Sequence, residues 1–61
     1  MPIVQITLVK GRDSALVEDC VRRVARTVSD SLDAPLGTVR VVVNEVEPQH
    51  FAVGDRLKSD P

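Results

Sequence analysis

Pro2 and Arg12 lie near the start of the chain, and both side-chain types could do chemistry there. A small residue after the initiator Met1 generally allows that methionine to be removed, which would leave Pro2 as a free secondary amine. Such an amine becomes a useful base or nucleophile when desolvation and nearby positive charge lower its pKa. Arg12, just beyond the first apolar segment, is the candidate source of that charge.

Arg40 and Phe51 add the other groups that proton transfer next to a carbonyl requires. The reaction needs a base with a pKa near neutral. The enolate oxygen that develops needs a cation held ready, and a guanidinium stays charged. Carboxylates of a substrate are bound best by bidentate guanidinium groups. One amine, two arginines and one aromatic ring meet these requirements.

Each of these residues also has a structural interpretation. A proline in second position is common and by itself indicates nothing, and Arg12 could be a solvated surface group. Arg40 lies among valines, where an unpaired buried charge is costly, so it could form an ion pair between subunits with Glu45 or Asp33. Phe51 could pack in a core or an interface, which is compatible with lining a site.

The remaining reactive side chains are interpreted as structural. Cys20 falls on the apolar stripe of a predicted helix, so we expect an inert core residue. His50 has no neighbours at metal-ligand spacing, and we expect no metal site. Arg22, Arg23 and Arg26 are expected to form a solvated helix face, with binding of an acidic partner as the alternative.

The elements that must position these residues follow from the hydrophobic pattern. Residues 2–9 predict a strand with apolar groups on both faces, and residues 14–32 predict an amphipathic helix. Residues 38–46 predict a second strand, and residues 52–57 a short hairpin that could lie over a neighbouring subunit. A strand, a long crossover helix and a strand form a parallel pair with a right-handed connection.

The predicted fold class is therefore α/β (α+β), with a single β-α-β domain over residues 1–61. A chain of 61 residues with one cysteine buries a modest share of its surface and gains no internal disulfide. Yet 43% of its residues are hydrophobic, more than one small unit needs. We expect two such units to pair into a four-stranded sheet with two helices on one face.

The charge pattern excludes several classes of partner. The net charge is −1 and the basic residues are spread along the chain, which indicates neither a nucleic-acid nor an anionic-membrane surface. No signal peptide is visible, and no apolar segment approaches the ~20 residues of a membrane span. The expectation is a soluble, cytoplasmic protein.

Taken together, these segments resemble the 4-oxalocrotonate tautomerase (2-hydroxymuconate tautomerase) family over nearly the whole chain. The segments that carry the resemblance are residues 2–6, 11–12, 31–36, 39–41 and 50–51, with the glycine at position 54. Asp55 departs from the pattern, because the family often has a second glycine there. That difference could alter the tail hairpin or the packing of subunits.

The resemblance implies a hexamer built as a trimer of dimers, with a heterohexamer as an alternative to a homohexamer. It implies isomerisation of 2-hydroxymuconate and similar enols, as in aromatic-compound catabolism, with no metal or cofactor. Pro2 would carry a proton from the 2-hydroxyl group to carbon 5 of the dienol. Arg12 and Arg40, partly from neighbouring subunits, would bind the carboxylate and polarise the 2-oxygen. Phe51 would help to wall the pocket and keep the amine dry.

Two other classes of function remain open from the sequence. One is a non-catalytic or partner subunit of a hetero-oligomeric enzyme of this superfamily. The other is a small DNA-binding dimer with a strand in the groove, which the weak negative charge and the single long helix disfavour. The substrate also stays open among dienol acids from aromatic breakdown, aryl pyruvates and biosynthetic intermediates.

Overall fold

The computed structural model describes all 61 residues, Met1–Pro61, and confirms the predicted β-α-β unit with a terminal hairpin. The first strand and the helix agree with prediction to within one residue. In chain order the elements are strand β1 (Ile3–Val9), helix α1 (Ser14–Leu32), a 3₁₀ turn (Leu36–Thr38), strand β2 (Arg40–Val46), a second 3₁₀ turn (Pro48–His50), and strands β3 (Ala52–Val53) and β4 (Arg56–Leu57).

The second strand starts two residues later than predicted, so the boundary at residue 38 is wrong. Thr38 belongs to the first 3₁₀ turn, because its backbone N–H and its Oγ1 both donate to the Pro35 carbonyl, at 2.9 and 2.7 Å. Val39 N–H donates to Leu36 O at 3.1 Å. These bonds turn the backbone just before Arg40, where the strand begins.

The two long strands are parallel, as the crossover helix requires. The register runs from Ile3 opposite Arg40 to Val9 opposite Val46. One further bond extends the ladder, from Lys10 N–H to Val46 O at 2.8 Å. Because parallel strands start at the same end of a sheet, residues 2 and 40 lie at one end of the unit and residues 10 and 46 at the other.

Helix α1 has specific hydrogen bonds at both ends. Asp13 caps its first turn, since its Oδ1 accepts from Ala15 N–H at 3.2 Å. At the other end Asp33 adopts the left-handed conformation at φ 52° and donates its N–H to Ser29 O. Ser29 Oγ also donates to Ala34 O at 2.6 Å. No helix of the chain has the length and apolar character that a bilayer span needs.

The helix covers only one face of the two-stranded sheet. Val4, Ile6 and Leu8 are half-buried, whereas the alternate residues of β1 are exposed as far as Thr7. Along the helix the half-buried residues that complete this layer are Val17, Val21, Val24, Ala25, Val28 and Ser29. The opposite face of the sheet is open and carries Ile3, which is 59% exposed, and Val42, which is 45% exposed.

A single chain does not enclose a core. Val39 is its one buried residue. The solvent-accessible surface is 4833 Å², against about 3,900 Å² for a compact monomer of this mass. The radius of gyration is 14.6 Å, against about 10.5 Å for a compact domain of this length. A single chain is therefore more extended and more exposed than a compact domain of its size.

The prediction that Cys20 lies in a core is wrong for the single chain, where Cys20 is exposed. Leu16 and Leu32, also on α1, are 66% and 65% exposed. The reason is geometric: two strands make a sheet too narrow to cover the whole stripe, which leaves its outer edge open.

The terminal hairpin forms with Asp55 in its turn. Ala52 pairs with Leu57 and Val53 pairs with Arg56 in antiparallel register. Gly54 has a φ of 63°, and the following Asp55 does not share this left-handed conformation. A two-residue turn with positive φ only at its first position needs glycine only there, which explains why an aspartate is accepted at the second.

The hydrogen bond at the end of α1 predicts a difference between two serines. Ser29→Ala removes the donor to Ala34 O, whereas Ser31 is exposed and makes no recorded side-chain bond, so Ser31→Ala is the matched control. Both changes gain the same small helix propensity. We expect Ser29→Ala to be less stable than Ser31→Ala by about 1 kcal/mol in urea unfolding. Equal stability of the two variants would contradict this role of Ser29.

Candidate active site

Pro2 and Arg40 are held together at the start of the sheet. The Pro2 carbonyl accepts the Arg40 backbone N–H at 2.9 Å, so Pro2, just before β1, lies beside Arg40, the first residue of β2. Pro2 is half-buried. With Met1 in place the Pro2 nitrogen is part of a peptide bond and has no basic lone pair. Removal of Met1 would convert it into a secondary amine.

The Arg40 side chain folds back over the turn that precedes its strand. Its Nη1 donates to Gly37 O at 2.8 Å and more weakly to Val39 O at 3.4 Å. It forms no ion pair with Glu45 or Asp33 of its own chain, because the two salt bridges of the chain involve other residues. A guanidinium has five N–H donors, so most of its donors are free to bind an anion.

Arg12 lies at the opposite end of the unit from Pro2. It follows β1 and the turn at Gly11, where a φ of 141° requires glycine. The seven residues of β1 separate the two ends by about 20 Å at the usual rise of a strand. Arg12 makes one long bond, from Nη1 to Val9 O at 3.3 Å, and no ion pair. Its guanidinium is thus free for an external anion.

Phe51 lies at the same end as Arg12. It follows the second 3₁₀ turn, which continues from the end of β2, and it is 38% exposed. A salt bridge of 3.2 Å between Lys10 Nζ and Glu47 Oε1 joins the residue after β1 to the residue after β2 at this end. The backbone N–H of Lys58 donates to Phe51 O at 2.8 Å, which fixes Phe51 at the base of the hairpin.

The four predicted site residues therefore form two pairs at opposite ends of one chain. Pro2 and Arg40 lie at the start of the parallel strands, and Arg12 and Phe51 lie beyond their ends. One chain does not bring the four together. No group of three or more histidine, cysteine, aspartate or glutamate residues lies close enough to hold a metal ion.

Comparison with known proteins identifies the family. A family model described as "Tautomerase enzyme" matches residues 2–60. The chain belongs to the tautomerase family. Tautomerases are isomerases that catalyse keto–enol tautomerisation, which places this protein in that class of enzyme.

Individual relatives of this tautomerase agree with the family model. A 2-hydroxymuconate tautomerase of Pseudomonas putida is 44% identical over 59 residues, which are 97% of this chain and 94% of the relative. The crystal structure of a 4-oxalocrotonate tautomerase homologue has a TM-score of 0.93 at 34% identity and covers 100% of this chain and 97% of its own. A heterohexamer 4-oxalocrotonate tautomerase from Chloroflexus aurantiacus J-10-fl has a TM-score of 0.91 at 28% identity. The match covers 98% of this chain and 97% of that protein's chain.

The Arg12 side chain makes only one long hydrogen bond within the chain. We therefore predict that the stability of this tautomerase does not depend on Arg12. Arg12→Gln loses one long hydrogen bond at an exposed position, so we expect the free energy of unfolding to change by less than about 0.5 kcal/mol. Lys10→Gln, which breaks the exposed ion pair with Glu47, is the control at the same end and should cost up to about 1 kcal/mol. If Arg12→Gln lowers the free energy of unfolding in urea by more than about 1 kcal/mol, Arg12 has a structural role.

Proposed function

We propose that this tautomerase isomerises 2-hydroxymuconate and similar dienol acids, using the amine of Pro2 after removal of Met1. The observation that carries the proposal is the bond of 2.9 Å between Pro2 O and Arg40 N–H, which holds the two residues side by side at the start of the sheet. The 44% identity to a 2-hydroxymuconate tautomerase over 97% of the chain supports this choice of substrate class.

In the proposed mechanism Pro2 acts first as a base and then as an acid. Its neutral amine accepts the proton of the 2-hydroxyl group and then delivers it to carbon 5 of the conjugated chain. A nearby guanidinium and a pocket that excludes water both favour the neutral amine. The proton moves between two positions of one molecule, so the reaction needs no net oxidant, reductant or cofactor.

The two arginines bind and polarise the substrate in this mechanism. Arg40 stabilises negative charge on the 2-oxygen as the proton leaves. Arg12 binds a substrate carboxylate. Both guanidinium groups lack carboxylate partners within the chain, so neither must break an ion pair to bind substrate. Phe51 lines the pocket and keeps water from the amine.

We propose that each site is assembled from more than one chain. When two copies are related by a two-fold axis across their strands, the strands run antiparallel. The end of one copy that carries Pro2 and Arg40 then approaches the opposite end of another copy, which carries Arg12 and Phe51. Two units joined in this way make a four-stranded sheet with two helices, and three such dimers make the proposed homohexamer. In this proposal each chain of 61 residues forms a single domain, and the hexamer is located in the cytoplasm.

A partner subunit is the second candidate function. One observation favours it: a structural neighbour at a TM-score of 0.91 and 28% identity is a heterohexamer. A chain of this kind would contribute Arg12 and Phe51 to the sites of another polypeptide. Intact mass of the purified protein, with identification of co-purifying chains, separates the two candidates. Loss of Met1 in a homo-oligomer favours the catalytic one.

The proposed role of Pro2 predicts graded effects at this position. Pro2→Ala still allows removal of Met1 and leaves a primary amine, whereas Pro2→Leu disfavours removal and displaces the amine by one residue. We expect kcat to fall about 10²- to 10⁴-fold in Pro2→Leu and by less in Pro2→Ala. Ultraviolet-monitored ketonisation of 2-hydroxymuconate measures both, with masses confirming the processing. Full activity in a Pro2→Leu protein that keeps Met1 would exclude Pro2 as the base.

Sharing of sites between chains predicts recovery of activity on mixing. Pro2→Leu and Arg12→Gln should each be nearly inactive as pure proteins. After joint unfolding and refolding in equal amounts, about a quarter of the sites combine the intact Pro2 of one chain with the intact Arg12 of another. We therefore expect about a quarter of wild-type activity in the mixture. A mixture that stays inactive, although mass spectrometry shows mixed oligomers, would place both residues of a site in one chain.

A further inference from the structure

Lys58 lies directly opposite Phe51 in the terminal hairpin. Ala52 pairs with Leu57 in the antiparallel ladder, so the next pair outward is Phe51 with Lys58. The bond of 2.8 Å from Lys58 N–H to Phe51 O confirms that the pairing continues to this position. Directly opposite residues of an antiparallel pair place their Cβ atoms about 4.5–5.5 Å apart on the same face.

The Phe51 face of the hairpin carries a small hollow. Residues two apart along a strand share a face, so Val53 and Arg56 accompany Phe51 and Lys58. The hollow has a volume of about 280 Å³ and is lined by Phe51, Val53, Arg56, Leu57, Lys58 and Asp60. Phe51 and Lys58 therefore border the same hollow.

Lys58 is the charged group of this hollow without a partner. The Asp60 carboxylate accepts Leu57 N–H at 2.9 Å, and Arg56 Nη2 donates to Pro61 O at 2.9 Å. The Lys58 ammonium makes no hydrogen bond or ion pair with the chain, whereas Lys10, the other lysine, is paired with Glu47. An ammonium beside an aromatic ring in a hollow offers a place for an anion, because the ring excludes water on one side.

We propose that Lys58 is a specificity-determining residue that binds a second carboxylate of the substrate. The proposal rests on the proposed function, in which Phe51 lines the site. Arg12 and Lys58 both lie at the end of the folded unit opposite Pro2. They would therefore bind together the carboxylate that is remote from the 2-hydroxyl group. Lys58 touches no reacting atom, and it acts through binding alone. The preferred substrates are dienols with two carboxylates.

The test compares two substrates that differ only in the remote carboxylate. Processed oligomeric wild type, Lys58→Gln and Lys58→Arg are assayed with 2-hydroxymuconate and with the corresponding dienol that lacks the second carboxylate. Arg26→Gln, on the exposed side of α1, is the control for loss of one positive charge. We expect Lys58→Gln to raise KM for the dicarboxylate about fivefold. The kcat should be unchanged, as for a contact that is equal in ground and transition states.

The second substrate and the Lys58→Arg variant distinguish a role of Lys58 in binding the substrate from a structural role. The monocarboxylate dienol should show no change in Lys58→Gln, and Lys58→Arg should restore KM for the dicarboxylate. Equal losses on both substrates would overturn the proposal, because they would mean that Lys58 only supports Phe51. Unchanged kinetics on both substrates would also overturn it.

A binding measurement keeps the result separate from the proposed activity. If wild type turns over neither dienol, the proposed reaction fails, and calorimetry with muconate, a stable dicarboxylate, tests Lys58 directly. Binding about fivefold weaker in Lys58→Gln than in Arg26→Gln supports the anion site. Equal binding by the two variants, or none by the wild type, overturns it.

Discussion

The main physical constraint on this structure is the apolar surface that one chain leaves uncovered. A two-stranded parallel sheet has one face under α1 and one face open, with Ile3 and Val42 exposed on the open face. Parallel sheets are normally covered on both faces. The outer edge of the helix stripe, at Leu16 and Cys20, is exposed as well. Contacts between copies of the chain would cover this apolar surface and complete the core.

The same geometry divides the candidate site. Because the strands are parallel, the hydrogen bond between Pro2 and Arg40 unites one pair of residues at the starting edge, and the strands carry Arg12 and Phe51 to the far end. Association would therefore serve two purposes at once. The contacts that bury apolar surface would also bring the base and one arginine to the other arginine and the aromatic wall, so folding and activity would be lost together.

Local signals allowed much of the fold to be predicted, and long-range pairing set the rest. The periodicity of α1 and the caps near Asp13 and Asp33 fix the helix within its own segment. Thr38 was misassigned because its hydroxyl bond to Pro35 O competes with the strand. Periodicity places Cys20 on the apolar stripe but does not reveal that the narrow sheet of one chain leaves it exposed. Lys58 was missed because its position opposite Phe51 follows from the hairpin register, although the glycine turn was a usable signal.

The most direct measurement is specific activity on 2-hydroxymuconate across a dilution series, with the molecular mass determined by sedimentation on the same samples. If sites form between chains, activity should fall at the concentration where the assembly dissociates towards the 6.7 kDa chain. Circular dichroism should report loss of structure over the same range. A folded 6.7 kDa monomer with undiminished activity would contradict an active site shared between subunits.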